Sequence, residues 1–139
     1  MPEFILTINN PKTGKSYKKI IRDRETDIFK GKKIKDNVAG DGFGLKGYEF
    51  EITGGSDKDG FPIRFDVAGF GRKKVLLTKG PGVHIKRKGM RKRKSVVGST
   101  LSINIKQINL KTIKQGSKTL EELFKKEEEE EVKTEEKSK

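Results

Sequence analysis

The sequence contains no cysteine and a single histidine, and these two shortages exclude several kinds of site. Without cysteine, the chain has neither disulfides nor thiolate metal ligands. One histidine, His84, supplies neither a usual zinc site nor a serine–histidine catalytic pair. No apolar run approaches the roughly 18 residues of a membrane span, and the first residues do not resemble a signal peptide. We therefore expect a soluble protein of a reducing, intracellular compartment, with no membrane partner.

Apolar residues are also scarce. They make up 30% of the 139 residues, whereas charged residues make up 38%. A self-sufficient globular domain usually has about 45–50% apolar residues. The length fits one domain with appendages. The core must be small, and we expect part of the chain to gain order only against a partner.

Acidic residues are absent from more than fifty consecutive positions. Residues 1–66 carry 13 Lys/Arg and 11 Asp/Glu, but residues 67–120 carry 15 Lys/Arg and no acid. Such a segment cannot neutralise its own charge, so the sequence predicts a polyanionic partner, with nucleic acid as the first candidate. An anionic membrane normally requires a basic amphipathic helix. The segment is instead rich in glycine and poor in apolar side chains.

Strand patterns recur along the chain between turn residues, and no helical pattern occurs before residue 119. The alternation shifts phase near Lys106–Gln107, which predicts a bulge. Together these patterns predict an all-β fold, a small β-barrel with a basic Gly-rich extension and a short C-terminal helix. The predicted strands are Phe4–Ile8, Ser16–Arg22, Tyr48–Thr53, Val75–Leu77 (ending at Gly80–Pro81–Gly82) and Ser102–Ile113.

The helix is predicted to follow Thr119, which has the spacing of a capping box with Glu122. Leu120, Leu123 and Phe124 form its apolar stripe. The Glu/Lys tail beyond is expected to be disordered or a solvated extension of the helix, and to stay away from the nucleic acid. We thus divide the chain into a β-barrel domain, 1–115, which includes a basic loop at 79–98, and a C-terminal helix and charged tail, 116–139.

A dense basic block spans Lys86–Lys94, in which seven of nine residues are cationic. Arginine bridges phosphate oxygens in pairs and lysine acts as a point charge, so the block predicts binding to a phosphate backbone. The alternatives are a nuclear-localisation tract or a merely solvated run, and for Arg72–Lys74 a charged strand edge. We expect both segments to order on contact. The predicted RNA-binding residues are Arg72, Lys73, Lys74, Lys79, Lys86, Arg87, Lys88, Arg91, Lys92, Arg93 and Lys94.

Two further motifs resemble ligand sites but lack essential parts. Gly42–Gly47 matches G-x-G-x-x-G, yet a strand rather than a helix is predicted after it, so we expect a flexible loop. Asp57–Gly60 opens like a calcium loop, but its twelfth position is Ala68 rather than glutamate. A tight turn with positive-φ glycines and capping aspartates explains it better. The residues of this turn motif are Gly54, Gly55, Asp57, Gly60, Phe61 and Pro62. No metal, cofactor, small-molecule substrate or catalytic residue is predicted.

Two stretches, Thr53–Pro62 and Gly89–Gly98, resemble the archaeal and eukaryotic small-subunit ribosomal protein S6e family. The resemblance covers roughly residues 3–115. It implies a small β-barrel body seated on small-subunit ribosomal RNA, beside other ribosomal proteins of the cytoplasmic ribosome, in a structural role without catalysis. Eukaryotic members carry a long basic C-terminal helix, whereas this chain has Glu127–Glu131, so it resembles the archaeal type.

Two alternatives remain open at this point. One is a free nucleic-acid chaperone or translation factor of barrel type, which cycles on and off ribosomes. The other is a nucleotide-dependent enzyme that uses the glycine loop at Gly42–Gly47.

Overall fold

The computed structural model describes residues 3–138. Residues 1–2 of the predicted β-barrel domain and residue 139 of the predicted tail lie outside the described part. Seven strands and one α-helix form in this part of the chain. Two 3-10 helices, Asp23–Ile28 and Gly40–Phe43, lie between the early strands. The elements are β1 (Glu3–Asn10), β2 (Lys15–Arg22), β3 (Asn37–Ala39), β4 (Glu49–Asp57), β5 (Arg72–Leu77), β6 (Lys92–Val97), β7 (Ile105–Lys114) and α1 (Leu120–Ser138).

The main sheet has five strands in the order β2-β1-β7-β4-β3. β1 and β7 run parallel, and the other neighbours are antiparallel. Successive side chains of a strand point to opposite faces of a sheet, so Phe4, Leu6 and Ile8 of β1 all face inward and are fully buried. The first two predicted strands are confirmed, and they pair as an antiparallel hairpin.

The pairing of β4 with β7 confirms the predicted bulge. Ser56 pairs with Gln107 and the next residue, Asp57, pairs with Ile105, so Lys106 is the extra residue. The prediction of a turn from Gly54 onward was wrong, because β4 continues to Asp57. Gly55 is needed there for close approach: a Cβ at this position would lie 2.2 Å from the carbonyl oxygen of Gln107.

The flexible loop predicted at Gly42–Gly47 was largely wrong. Its first two residues end the second 3-10 helix, and the segment contributes Phe43 and Leu45 to the core. Gly42 packs against Ile28, where a Cβ would lie 2.1 Å from Cδ1. Burial of the two large apolar side chains fixes a segment whose glycine content alone predicts flexibility.

Helix α1 begins where the sequence predicts. The amide of Glu122 donates to the hydroxyl of Thr119 at 3.4 Å, which confirms the N-cap. Leu120 and Phe124 are buried in the main core, and the Phe124 ring stacks on Tyr17 of β2 with centroids 4.8 Å apart. The helix continues to Ser138, as one of the two alternatives for the tail predicts.

Strands β5 and β6 form a separate antiparallel sheet. Residues 62–63 connect it to the main sheet, because Pro62 is bridged to Ser56 of β4 and Ile63 to Val97 of β6. The predicted all-β body with one C-terminal helix is therefore confirmed. In residues 3–138 the two sheets do not close into a barrel. None of the helices in this part is long and apolar enough to cross a membrane.

Candidate nucleic-acid interface

The hairpin of β5 and β6 carries most of the predicted RNA-binding residues. Its register pairs Lys74 with Ser95 and Leu76 with Arg93. One face holds a small second core, in which Leu77, Val83 and Val96 are buried. The sequence analysis expected the basic block to lie in a loop up to residue 98, but its second half is strand β6. Two consecutive valines explain this difference: Val96 packs in the second core and Val97 in the main core, so the end of β6 is buried on both faces.

Cations surround this hairpin on both faces and on the loop that joins its strands. Lys92 is half-buried, and the others are exposed. Lys73 donates to the carbonyl of Ala68 at 2.8 Å. Among the described residues no carboxylate lies within ion-pair distance of this set. These hairpin cations are Lys73, Lys74, Lys79, Lys86, Arg87, Lys88, Arg91, Lys92, Arg93 and Lys94.

Arg72 differs from its neighbours because acidic partners already hold it. Its Nε donates to Oδ2 of Asp57 at 2.6 Å, and its Nη2 donates to Asp59. The guanidinium also lies over the ring of Phe61, 4.7 Å from the centroid. These hydrogen bonds raise the pKa of Arg72. For this one arginine, aspartates of the first half of the chain supply the countercharge.

The tight-turn motif connects the two sheets rather than presenting a ligand site. Asp57 is buried, and its Oδ1 accepts the amide of Asp59 at 2.6 Å, which confirms the predicted aspartate cap. Burial raises the pKa of Asp57, but hydrogen bonds from Arg72 and the Asp59 amide outweigh it and hold that pKa below 3.8. Gly60 has φ +90°, as a turn of this kind requires. Phe61 packs against the main core.

Arg64 is a buried cation that the sequence analysis missed. It lies in the connecting segment after Pro62, and its side chain is only 6% exposed. Asp66 accepts two hydrogen bonds from it, at 2.8 and 2.7 Å, and these raise the pKa of Arg64. The pattern Arg-x-Asp was the available signal, but two residues of opposite charge at this spacing are common on surfaces.

The acidic helix meets a different set of lysines from those of the hairpin. Lys15 and Lys19, on the inward-facing side of β2, pair with Glu121 and Glu127 at 2.6 and 2.5 Å. These two lysines of the first half of the chain are therefore paired with acids of the C-terminal helix. It also places the first part of α1 against β2.

Candidate catalytic or ligand groups do not assemble in the described residues. The glycine motif Gly42–Gly47 forms a 3-10 helix and a turn packed on the core. His84 is exposed. A search of residues 3–138 finds no group of three His, Asp or Glu side chains arranged to hold a metal ion.

A small β protein whose unpaired cations gather on one hairpin has the features of a nucleic-acid-binding protein. The comparisons with known proteins give a family. The model of the Ribosomal protein S6e family matches residues 4–125, so the chain belongs to that family. The resemblance found from two motifs is confirmed. Membership in a family of ribosomal proteins also agrees with the prediction of a protein that is not an enzyme.

Three archaeal relatives, each named Small ribosomal subunit protein eS6, illustrate the similarity. The protein of Archaeoglobus fulgidus is 44% identical over 128 residues, 91% of this chain and 99% of the relative. That of Methanococcus maripaludis strain C5 is 44% identical over 117 residues, 84% and 92% of the two chains. The protein of Methanocella arvoryzae is 42% identical over 131 residues, which are 94% of this chain and 92% of the relative.

Proposed function

We propose that this protein is a structural constituent of the small ribosomal subunit, in the cytoplasmic ribosome, and that it binds ribosomal RNA through the hairpin cations. Family membership and the names of the relatives support the ribosomal role. The contact with RNA rests on one observation: ten Lys and Arg side chains share a hairpin on which the described residues place no pairing carboxylate.

The arrangement of these cations favours phosphates over bases. Lys74 and Arg93 lie on one face of the hairpin, whereas Lys92 and Lys94 lie on the other, so charge is distributed around the ribbon. Lysine and arginine side chains on such a ribbon can contact the phosphates of folded RNA. Proteins recognise the shape of folded RNA mainly through contacts to its phosphates and riboses. Phe61 is not free to stack on a base, because it packs on the core and under Arg72.

The small barrel expected from the sequence belongs to this proposal. Its support is the chain of backbone contacts that continues the main sheet past β4. Pro62 is bridged to Ser56, Ile63 to Val97, and Lys33 to Thr100. These bridges connect the hairpin, with its cations, to the residues beside the core strands.

Salt dependence of RNA binding tests the proposed function. We expect the affinity for in vitro transcribed small-subunit ribosomal RNA to fall with salt at a slope that corresponds to about six to ten phosphate contacts. Replacement of Arg91, Lys92, Arg93 and Lys94 by alanine should reduce that slope by up to about four. The matched control replaces four lysines of α1 by alanine and removes the same charge; these are Lys125, Lys126, Lys133 and Lys137.

Two outcomes would contradict the proposal. One is a slope near zero for the unmodified protein. The other is an equal loss of slope in the hairpin variant and the helix control, since net charge rather than the hairpin would then govern binding. Sedimentation completes the test: an integral component stays with small subunits in a high-salt wash, whereas a cycling factor is released early.

A further inference from the structure

Arg64 lies in the connecting segment that runs beside strand β6 of the basic hairpin. Its backbone amide donates to the carbonyl of Val97 in β6 at 3.0 Å, and the amide of Val97 donates to Pro62 at 2.9 Å. The segment therefore runs beside β6. The Arg64 side chain turns away from this contact, toward the loop that leaves β5.

The guanidinium of Arg64 uses four of its five donors within the protein. Nη1 donates to the carbonyl oxygens of Lys79 and Pro81 at 3.0 and 2.9 Å. Nε and Nη2 donate to the two carboxylate oxygens of Asp66. With 6% of the side chain exposed, Arg64 has no free surface for a phosphate. Its role must be exerted through the residues it holds.

Two glycines allow the loop to pack closely against Arg64 and Pro62. Gly80 has φ +100°, and a Cβ there would lie 2.9 Å from Nη1 of Arg64. Gly82 has φ +86°, and a Cβ there would lie 2.9 Å from Cγ of Pro62. The turn Gly80–Pro81–Gly82 therefore fits closely against the connecting segment. It is the start of the loop that carries Lys86, Arg87, Lys88 and Arg91 to β6.

We infer that Arg64 is a positioning residue for RNA binding, which holds the turn at Lys79–Pro81 so that the cations of the following loop are presented in a fixed arrangement. The inference rests on the proposed function. A fixed loop has less conformational freedom to lose when it binds, so the same cations bind RNA more tightly. Lysine cannot replace this arginine, because an ammonium lacks the planar set of donors that reaches two carbonyls and a carboxylate together.

The first experiment needs no RNA. Hydrogen exchange followed by mass spectrometry on the full chain compares wild type with Arg64→Lys and Asp66→Asn. We expect faster exchange in peptides covering 79–85, where the Val83 amide donates to Gly80, and unchanged exchange in β7. Arg22→Lys is the matched control, since Arg22 is an exposed, ion-paired arginine on β2. Asp66→Asn should act in the same direction but less strongly, because it leaves the two carbonyl contacts in place.

The second experiment measures affinity for small-subunit ribosomal RNA of Archaeoglobus fulgidus transcribed in vitro. For Arg64→Lys we expect about tenfold weaker binding, from the added cost of ordering the loop. The salt slope should be almost unchanged, because every phosphate-binding cation remains. If Arg64 only supported the fold, its replacement would not weaken the RNA affinity while leaving the salt slope unchanged.

Three results would overturn the inference. Unchanged exchange at 79–85 in Arg64→Lys would show that Arg64 does not hold the loop. Faster exchange with unchanged RNA affinity would show that the hold has no role in binding. A uniform rise in exchange throughout both sheets would show that Arg64 supports the whole fold. Failure of the proposed function would look different, because the Arg91–Lys94 alanine variant would then bind RNA as wild type does.

Discussion

Arg72 of β5 donates from Nε to the buried Oδ2 of Asp57 at the end of β4, at 2.6 Å. This contact joins the hairpin to the main sheet through two side chains of opposite charge. Asp59 and the ring of Phe61 complete the surroundings of the guanidinium. An arginine from the acid-free part of the chain therefore acts within the fold, although its sequence context resembles that of the hairpin cations.

Replacement of Arg72 by methionine should lower the midpoint of thermal unfolding by several degrees. The variant leaves the buried carboxylate of Asp57 without its charged partner, and an unpaired buried charge is strongly unfavourable. Differential scanning calorimetry measures the change. The salt slope of RNA binding should change less than in Arg93→Met, because the inward contacts of Arg72 compete with a phosphate.

Lys73→Met is the control for this prediction, since it removes one charge from the same strand without breaking an ion pair. A double-mutant cycle between Arg72→Met and Asp57→Asn isolates the pair. We expect the combined variant to lose clearly less stability than the sum of the two single variants. Strict additivity would show that the two side chains do not interact.

Asp57 should also make the protein sensitive to acid. The folded state lowers its pKa below the ordinary value of 3.8, so the stabilisation is present above that value and is lost as the pH falls through the folded pKa. Urea unfolding from about pH 5 downward should show a falling free energy of unfolding, with a shallower fall in Asp57→Asn. An identical pH dependence in both proteins would contradict this account. Asp66, whose pKa Arg64 lowers, should retain part of the dependence in the variant.

The strands that alternate could be predicted from the sequence. The hairpin of β1 and β2, the strand at Phe50 and Ile52, and the bulge near Lys106 follow from a period of two residues and its interruption. The helix start at Thr119 follows from its cap. These are local signals, which depend on a few neighbouring residues.

Features that depend on distant contacts could not be predicted. β6 was missed because its first three residues, Lys92–Lys94, are charged, and the packing of Val96 against Val83 and Leu77 depends on distant residues. The contacts of Arg64 and Arg72 were missed for the same reason, since their partners lie up to 17 residues away. Charge identifies a cation in the sequence, but only the structure shows whether a carboxylate of the fold pairs with it.

Gly54 and Gly55 offer a test of how β4 fits against β7. Gly55→Ala should destabilise the protein by about 1–3 kcal/mol, because its Cβ would collide with the backbone of Gln107 and force the strands apart. Gly54→Ala is the matched control, since nothing lies within 4 Å of a Cβ at that position. There we expect no loss, and up to about 1 kcal/mol of gain from a less flexible unfolded chain. Urea denaturation of both variants gives the comparison, and equal effects would refute the close-approach account.

Phe124 should decide whether α1 stays on the sheet. Its ring is buried against Tyr17 of β2, with planes inclined by 10°, and truncation to alanine should cost about 3 kcal/mol. Val132 is the control on the same helix, because it is 56% exposed and Val132→Ala should change stability little. Because short isolated helices are marginal in water, Phe124→Ala should also release α1 from β2 and reduce helical circular dichroism before the sheet unfolds. Exchange of the β2 amides would then rise while that of β7 stays low. If helicity and sheet were lost in one step at the wild-type midpoint, the stacking on Tyr17 would not be what holds the helix.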